Sequence, residues 1–421
     1  MSENKKIKVL MLSDHPMAPS GVGTQTKNVI EALLKTGRYQ IRSFGGAVKH
    51  HDYNPQKTEE YGDDFIIYPV DGYGSQESIR SILWAEKPDI LWFMTDPRFY
   101  GWLWDIENEI RDVIPMVYYH VWDNYPYPNY NKNFYNSTDV IVSISKVTHD
   151  IVNHVTPEVE NHYLPHAVRP DIFYKMPKEH IEQFKQGNFK EDKNRFTFFW
   201  NNRNARRKNT GSLMFWFNEF AEKVGPQNVR LIMHTDPKDP NGPELNLIIK
   251  ELAFTDDRIL ISNEKVPPEA LSMLYNSADC TINISDAEGF GLATLESLSC
   301  ETPIVVTMTG GLQEQVTDGE EWFGIGIEPN SKSVIGSQQV PYIYEDRIGK
   351  EDFIAALEKI YNMSEKERDE LGKKGREHVI KNYNFDKFTE NWVELMDNIY
   401  EKYGSWSTRK HYKSWSLKEV A

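Results

Sequence analysis

Apolar residues in this chain gather into short runs separated by amphipathic stretches, and that alternation predicts the architecture. Lys6 to Ser13 is a nearly unbroken apolar run, the composition of a strand buried on both faces of a parallel sheet. Gln25 to Thr36 then repeats with a helical period, and Gly37 supplies a stop. Strand-like runs follow at Tyr39–Phe44, Phe65–Tyr68, Asp89–Met94, Pro115–His120 and Asp139–Ile144, with helix-like segments between several of them. The polar, charged stretch from Arg169 to Asn194 reads as a linker, which puts a boundary near residue 170. A second alternation starts at Arg195–Trp200 and continues through Asn228–Asp236, Arg258–Asn263, Cys280–Ser285 and Pro303–Thr307. Three helical segments close it: Asp352–Met363, a run to Tyr383 opened by the capping box of Ser364 and Glu367, and Phe385–Tyr403.

Two glycine-bearing loops interrupt this pattern where chemistry belongs. The first, after the opening strand, holds His15 and Gly21-Val22-Gly23. A dinucleotide fingerprint does not fit there, because Thr26 replaces the third glycine and no acid follows the second strand. The second is Ser285 to Glu301, with Glu288 beside Gly289-Phe290-Gly291-Leu292 and Glu296 eight residues further on. Glycines lack Cβ and let a backbone approach a ligand, and the N–H groups opening a helix point at what lies there. If most of the span between the two acids is helical, they stand about 10–12 Å apart along the axis. That exceeds the ~5–9.5 Å of a glycosidase carboxylate pair.

Glu288 and Glu296, with Gly-Phe-Gly-Leu after the first, resemble the signature of retaining glycosyltransferases of the GT-B fold, glycosyltransferase family 4 or group 1, a family that includes sucrose synthases and mannosyltransferases. The resemblance covers nearly the whole chain and is more specific in the second half. It implies two Rossmann-like, doubly wound α/β domains facing a cleft. Residues 1–170 would be the acceptor-side domain, with Asn161–Val168 as its exit strand; 171–403 would bind a nucleotide-diphosphate sugar, and the end of the chain, with tail 404–421, would pack back on the first domain. Arg203 and Lys208 match the cations that grip the donor diphosphate; Arg206 and Arg207 are surplus. A leaving diphosphate gains charge as the sugar–oxygen bond breaks, and a guanidinium with an ammonium stabilises it. Glu296 would accept the ribose hydroxyls, Glu288 and the Gly289–Leu292 amides would hold the sugar, and Val266 would sit in the loop contacting the base. Gly21 and Gly23 become candidates for close approach to donor phosphates or acceptor, and His120 matches a histidine near the donor sugar. Thr309-Gly310-Gly311-Leu312 match the family's final glycine pair. Two departures stand out: Asn202 replaces the usual glycine before the arginine, and Asp318–Arg347 is longer and more polar than the usual closing strand.

In open α/β sheets ligands bind beyond the carboxyl ends of strands. This makes Asp96, Arg98, Trp122 and Asp123, together with His15, the acceptor-side candidates. The aromatic, proline-rich stretch Trp122–Tyr130 fits either a sugar-stacking surface or a rigid loop.

Composition narrows the rest. A chain of 421 residues with 39% hydrophobic and 13% aromatic content is globular and long enough for several cores. A net charge of −15 opposes indiscriminate attraction to nucleic acid or anionic membrane. There is no run approaching the ~18 apolar residues of a spanning helix, and Met-Ser-Glu-Asn-Lys-Lys leads straight into a strand, so a cytoplasmic protein without signal peptide is expected. Cys280 and Cys300 fall in apolar segments and read as reduced core thiols. Asp-x-Asp, the metal–diphosphate triplet of the other main glycosyltransferase fold, does not occur. That absence predicts metal-independent transfer, and the resemblance implies a retaining transfer of a hexose-type sugar to a hydroxyl acceptor, without a cofactor. Two rivals stand beside it: a non-catalytic nucleotide-sugar-binding protein, and a transferase acting on modified nucleic-acid bases. The basic, aromatic tail Gly404–Trp415 and the surplus arginines permit the latter, and the net charge disfavours it.

Overall fold

A computed structural model describes residues 5–189, 194–254 and 256–415. The chain divides into two compact units, residues 1–166, 336–342 and 386–421 in the first and 167–335 with 343–385 in the second.

The first unit is built on an eight-stranded sheet. Its strands are β1 (Ile7–Asp14), β2 (Tyr39–Gly46), β3 (Gln56–Lys57), β4 (Phe65–Pro69), β5 (Ile90–Met94), β6 (Met116–His120), β7 (Val140–Ser143) and β8 (Glu160–Tyr163). The order is β3-β4-β2-β1-β5-β6-β7-β8, parallel except for the short β3 edge. The apolar runs become central strands because both faces are covered: Val9 to Leu12 and Ile90 to Phe93 have no exposed surface. The helix Gly21–Leu34 starts where Ser20 caps it, the Ser20 hydroxyl accepting from Gly23 N at 3.0 Å.

The second unit has its own parallel sheet. It comprises β9 (Phe196–Asn201), β10 (Val229–His234), β11 (Ile259–Ser262), β12 (Cys280–Asn283), β13 (Ile304–Thr307) and β14 (Ile325–Ile327), in the order β11-β10-β9-β12-β13-β14. The strand order reverses between β9 and β12, and such a switch point opens a crevice at the strands' carboxyl ends. Packing of Phe198, Trp200, Phe217, Phe220 and Met233 fills the core beneath it.

The structure shifts several expected boundaries. The first unit stops at residue 166 and reclaims the chain from 386, so the 171–403 block loses nearly its whole last helix. The reason is packing: Trp392, Leu395, Met396 and Ile399 form one buried stripe on Phe385–Tyr403. The Trp392 ring meets Trp92 at 6.0 Å and Tyr119 at 4.8 Å, both edge-on, and each such pair adds about 0.5–1.5 kcal/mol beyond area burial. The expected linker 169–194 contains a helix, Lys178–Phe189, with Ile181 buried; its residues 190–193 lie outside the described ones. The polar Asp318–Arg347 stretch holds β14 and an added antiparallel hairpin of β15 (Ser331–Ile335) and β16 (Ile343–Arg347).

The tail is bolted to the first unit. Trp406 Nε1 donates to Pro88 O at 2.8 Å, Arg409 reaches Asp139 Oδ1 at 2.9 Å, and Arg111 stacks on the Tyr412 ring at 4.4 Å. Trp406, Arg409 and Tyr412 therefore serve packing, while Trp415 stays 71% exposed; residues 416–421 of the tail lie outside the described ones. Among the described residues no helix is long and apolar enough to cross a membrane. Cys280 and Cys300 are free and buried, and burial pushes the Cys300 thiol up to about 12.

Candidate active site

β9 and β12 are adjacent parallel strands, with Phe198 opposite Cys280, and the chain leaves both at the same edge of the sheet. Residues 203–208 and 286–288, about eighty positions apart in sequence, therefore meet. Asp286 N donates to Arg207 O at 2.7 Å and joins the two loops through their main chains. Lys208 lies at the end of the short turn Arg206–Lys208, and Asn209 follows with φ of 59°, an αL position that asparagine tolerates. That bend starts the helix Thr210–Val224 and sends the Lys208 side chain inward.

There Lys208 Nζ forms a salt bridge with Glu288 Oε2, their side chains only 7% and 11% exposed. The Arg207 guanidinium lies 3.9 Å from Glu288 Oε1 and also donates to Ala287 O. Burial alone would raise the Glu288 carboxyl's pKa, but Lys208 and Arg207 outweigh it and hold the group below the usual carboxylate range. A buried ammonium and a half-exposed guanidinium thus face one ionised acid.

The glycines beside Glu288 are required sterically. Gly291 has φ of 90°, and a Cβ on it would lie 2.5 Å from Leu312 Cδ2. A Cβ on Gly311 would meet Gly289 O at 2.5 Å, and Gly311 N donates to Glu288 O at 3.0 Å. The loops 289–291 and 310–311 therefore interlock, and they place the start of the helix Leu292–Ser299 beside Glu288. Phe290 anchors this corner from below: its ring is buried 5.8 Å from Tyr383. The Phe290 carbonyl accepts from Gln315 Nε2 at 2.7 Å.

Glu296 occupies a different environment. Tyr275 Oη donates to its Oε2 at 2.7 Å and accepts from Asn201 Nδ2 at 2.9 Å. Burial pushes the Glu296 carboxyl up to about 7, and the Tyr275 hydrogen bond only partly offsets that. The helix opens at Leu292, so only Leu292 to Glu296 contributes helical rise, about 6 Å of the separation expected for the two acids. Val266 is half-buried in the loop between β11 and the helix Pro268–Ser277.

Of the cations expected to act together, Arg203 stands apart. It is largely exposed and makes a two-point bond to Asp239, at 2.6 and 3.2 Å. Asp239 sits in the proline-rich loop after β10, which packs so tightly on the cation loop that a Cβ at Gly242 would lie 2.3 Å from Asn204 O. Arg206 reaches the other way, its fork held by Glu345 of β16. Asn202 carries a buried Nδ2 that has no hydrogen-bond partner among the described residues.

The first unit's candidates are held differently. His120, at the end of β6, has no exposed surface; its Nε2 is 2.7 Å from Tyr135 Oη, and its Nδ1 has no partner among the described residues. Burial lowers its pKa to about 3, so the imidazole is neutral. Trp122 is buried, its Nε1 donating to Asn124 O at 2.9 Å, so of the two readings of Trp122–Tyr130 this side chain takes the structural one. Asp96 and Arg98 neutralise one another, at 2.9 and 3.0 Å. Asp123 is half-buried on the loop after β6. His15 is half-buried and accepts from Met17 N at 3.1 Å; burial first, then nearby His50, lowers its pKa. Gly21 is exposed at the start of its helix, while a Cβ on Gly23 would stand 2.9 Å from both Ala18 O and His15 O. Gly23 is needed by its own loop.

The family model of glycosyl transferases group 1 matches residues 181–378, the stretch that contains both glutamates and the whole cation loop. This stretch is a group 1 glycosyl transferase domain. A D-inositol 3-phosphate glycosyltransferase of Acidothermus cellulolyticus is 36% identical over 94 residues, covering 22% of this chain and 20% of that protein. The chain thus spans about a fifth of that relative's length. Solved structures show that the fold extends beyond the group 1 domain. Sucrose-phosphate synthase from Thermosynechococcus elongatus superposes with a TM-score of 0.74 at 15% identity, over 94% of this chain and 100% of that one. Anabaena HepE in complex with UDP and glucose gives 0.68 at 13% identity, over 93% and 100%. The architecture is GT-B, with two Rossmann-like domains.

Tyr275, Asn201 and Arg207 were not singled out by the motif reading. Asn201 ends a strand at the switch point, which is a readable signal. Tyr275 lies in the last turn of the helix Pro268–Ser277 and carries none.

Proposed function

We propose that the protein is a retaining, metal-independent glycosyltransferase that moves a hexose-type sugar from a nucleotide-diphosphate sugar to a hydroxyl acceptor. The observation that carries this reading is the buried Lys208–Glu288 pair with Arg207 beside it, set against the opening of a glycine-started helix. In this proposal Lys208 and Arg207 take the diphosphate, whose negative charge rises as the bond from sugar C1 to phosphate oxygen breaks. Glu288 and the Gly289–Leu292 backbone hold the sugar. Glu296, oriented by Tyr275 and Asn201, accepts the ribose hydroxyls, and Val266 lies near the base. Arg203, exposed and held by Asp239, contributes less than Arg207. His120 belongs near the donor sugar in this reading, and Gly21, Gly23, His15, Asp96, Arg98 and Asp123 belong to the acceptor side.

Same-face attack balances without a dedicated base. The acceptor oxygen bonds to C1, the diphosphate leaves with the electron pair, and the acceptor's proton passes to the departing phosphate oxygen. Support for a nucleic-acid acceptor weakens, because Arg409 of the tail is engaged by Asp139. The test is nucleoside-diphosphate release from UDP-, GDP-, ADP- and dTDP-sugars by wild type, Lys208→Ala and Glu288→Gln. Release from one donor, lost in both variants, is the expected result. Tight diphosphate binding with no release under any acceptor would instead identify a binding protein.

A further inference from the structure

The β15–β16 hairpin, the departure from the family pattern, reaches the cation cluster with two charged side chains. Glu345 is 2% exposed and receives two guanidiniums: Arg206 Nη1 at 2.8 Å, with Nη2 on the other oxygen, and Arg347 Nη2 at 2.8 Å. Arg347 Nη1 in turn forms a salt bridge with Asp286, also 2% exposed and two residues before Glu288. The main chain follows the same path, since Asp346 N donates to Asp286 O at 2.9 Å and Asp286 N to Arg207 O at 2.7 Å. Strand β16, the 286–288 loop and the 206–208 turn are thereby stitched side by side.

We propose that Glu345 and Arg347 are positioning residues that hold the diphosphate-binding cations in register with Glu288; this rests on the donor-binding reading above. Two buried carboxylates and two guanidiniums form a neutral quartet, so neither acid is left uncompensated. Arg347 spans Asp286 and Glu345 with separate nitrogens, a planar fork that a lysine ammonium cannot reproduce. Arg206 keeps 60% of its side chain exposed although Glu345 fixes its fork. A long cation that is already ordered loses less freedom when an anion arrives, which favours affinity by preorganisation. The hairpin lies outside Arg203–Lys208 and the glutamate motif, so it tunes that site from a segment the motif does not contain.

The experiment is isothermal titration of UDP, GDP and ADP, and of uridine, guanosine and adenosine, into the full chain. Wild type is compared with Arg347→Ala, Arg347→Lys and Glu345→Gln, with melting curves on each. For the base that wild type prefers, the diphosphate Kd is expected to rise about tenfold in Arg347→Ala and Glu345→Gln, the scale of ordering one or two long side chains. The nucleoside Kd should move less than about twofold, because the quartet lies on the phosphate side. Arg347→Lys, which keeps the charge and loses the fork, should fall between. If Arg347→Ala melts below the assay temperature, Glu345→Gln, which keeps shape and acceptor oxygen, carries the test. Unchanged diphosphate affinity, or equal weakening of nucleoside and diphosphate, overturns the proposal. Binding of none of the three diphosphates by wild type overturns the functional reading itself, a result visible before any variant is compared.

Discussion

The two units present charged residues at their strand ends in opposite ways. In the second, acids and bases from segments far apart in sequence converge: Lys208 and Arg207 on Glu288, Arg206 and Arg347 on Glu345, and Arg347 on Asp286. In the first, Asp96 and Arg98 pair two residues apart, and His120 and Trp122 are packed into the interior. Long-range pairing holds charge in a buried place that solvent alone would not favour. A local pair such as Asp96–Arg98 needs no such scaffold and contributes little, as exposed ion pairs generally do.

Removing Lys208 tests this contrast most severely. Lys208→Ala strips the compensating charge from a buried acid, and breaking such a pair typically costs about 3–5 kcal/mol. Nucleoside-diphosphate release should fall by about 10²–10³-fold, the scale of losing one donor aimed at developing charge. A melting curve and a donor-release assay measure the two effects separately, and wild-type release from Lys208→Ala would remove the central assignment. Trp122→Ala comes next. As a buried core aromatic it should cost about 3–5 kcal/mol in stability, and a denaturant titration showing less than about 1 kcal/mol would reopen the sugar-stacking reading.

The two glutamates should respond to pH with opposite signs. Glu288 is depressed in the folded state, so its contribution is present above the unfolded carboxyl pKa and is lost as pH falls through the folded value. Glu296 is raised to about 7, so the folded protein binds more protons than the unfolded chain between the ordinary carboxyl value and 7. Its contribution to stability should therefore decline as pH rises across that window and level off above it. Nucleoside affinity should rise over the same interval, because the ionised carboxylate is the better acceptor of ribose hydroxyls. Tyr275→Phe should shift that affinity midpoint upward, since the hydroxyl favours the ionised form. A midpoint unmoved from wild type would disconnect Tyr275 from Glu296.

The smallest effect separates neighbours in one loop. Arg203→Ala removes an exposed cation held by Asp239 and should slow release less than about fivefold, whereas Arg207→Ala should slow it by more. Initial rates at saturating donor decide it, and a larger loss for Arg203 would mean that this side chain leaves Asp239 when donor binds.

Much of this was legible in the residues themselves. Strand runs such as Val9–Leu12 and Phe196–Trp200 are apolar because both faces of a parallel sheet are covered, and that demand is local enough to read. The Ser364 capping box forms as expected, with Glu367 reaching back to Ser364 N at 2.7 Å. Glu288, Lys208 and the glycine loops follow closely on strand ends, so their placement in the fold was readable from the chain. What sequence could not decide is which cation meets which acid. Arg203, Arg206, Arg207 and Lys208 are interchangeable as a charge run, and their partners, Asp239, Glu345, Ala287 O and Glu288, come from three other segments. The same holds for the helix Phe385–Tyr403, whose apolar stripe predicts burial without saying against what; the Trp92 and Tyr119 rings decided that. Periodicity and composition report what each segment needs from its surroundings. Only the folded chain, by bringing distant segments within bonding distance, determines which surroundings supply it.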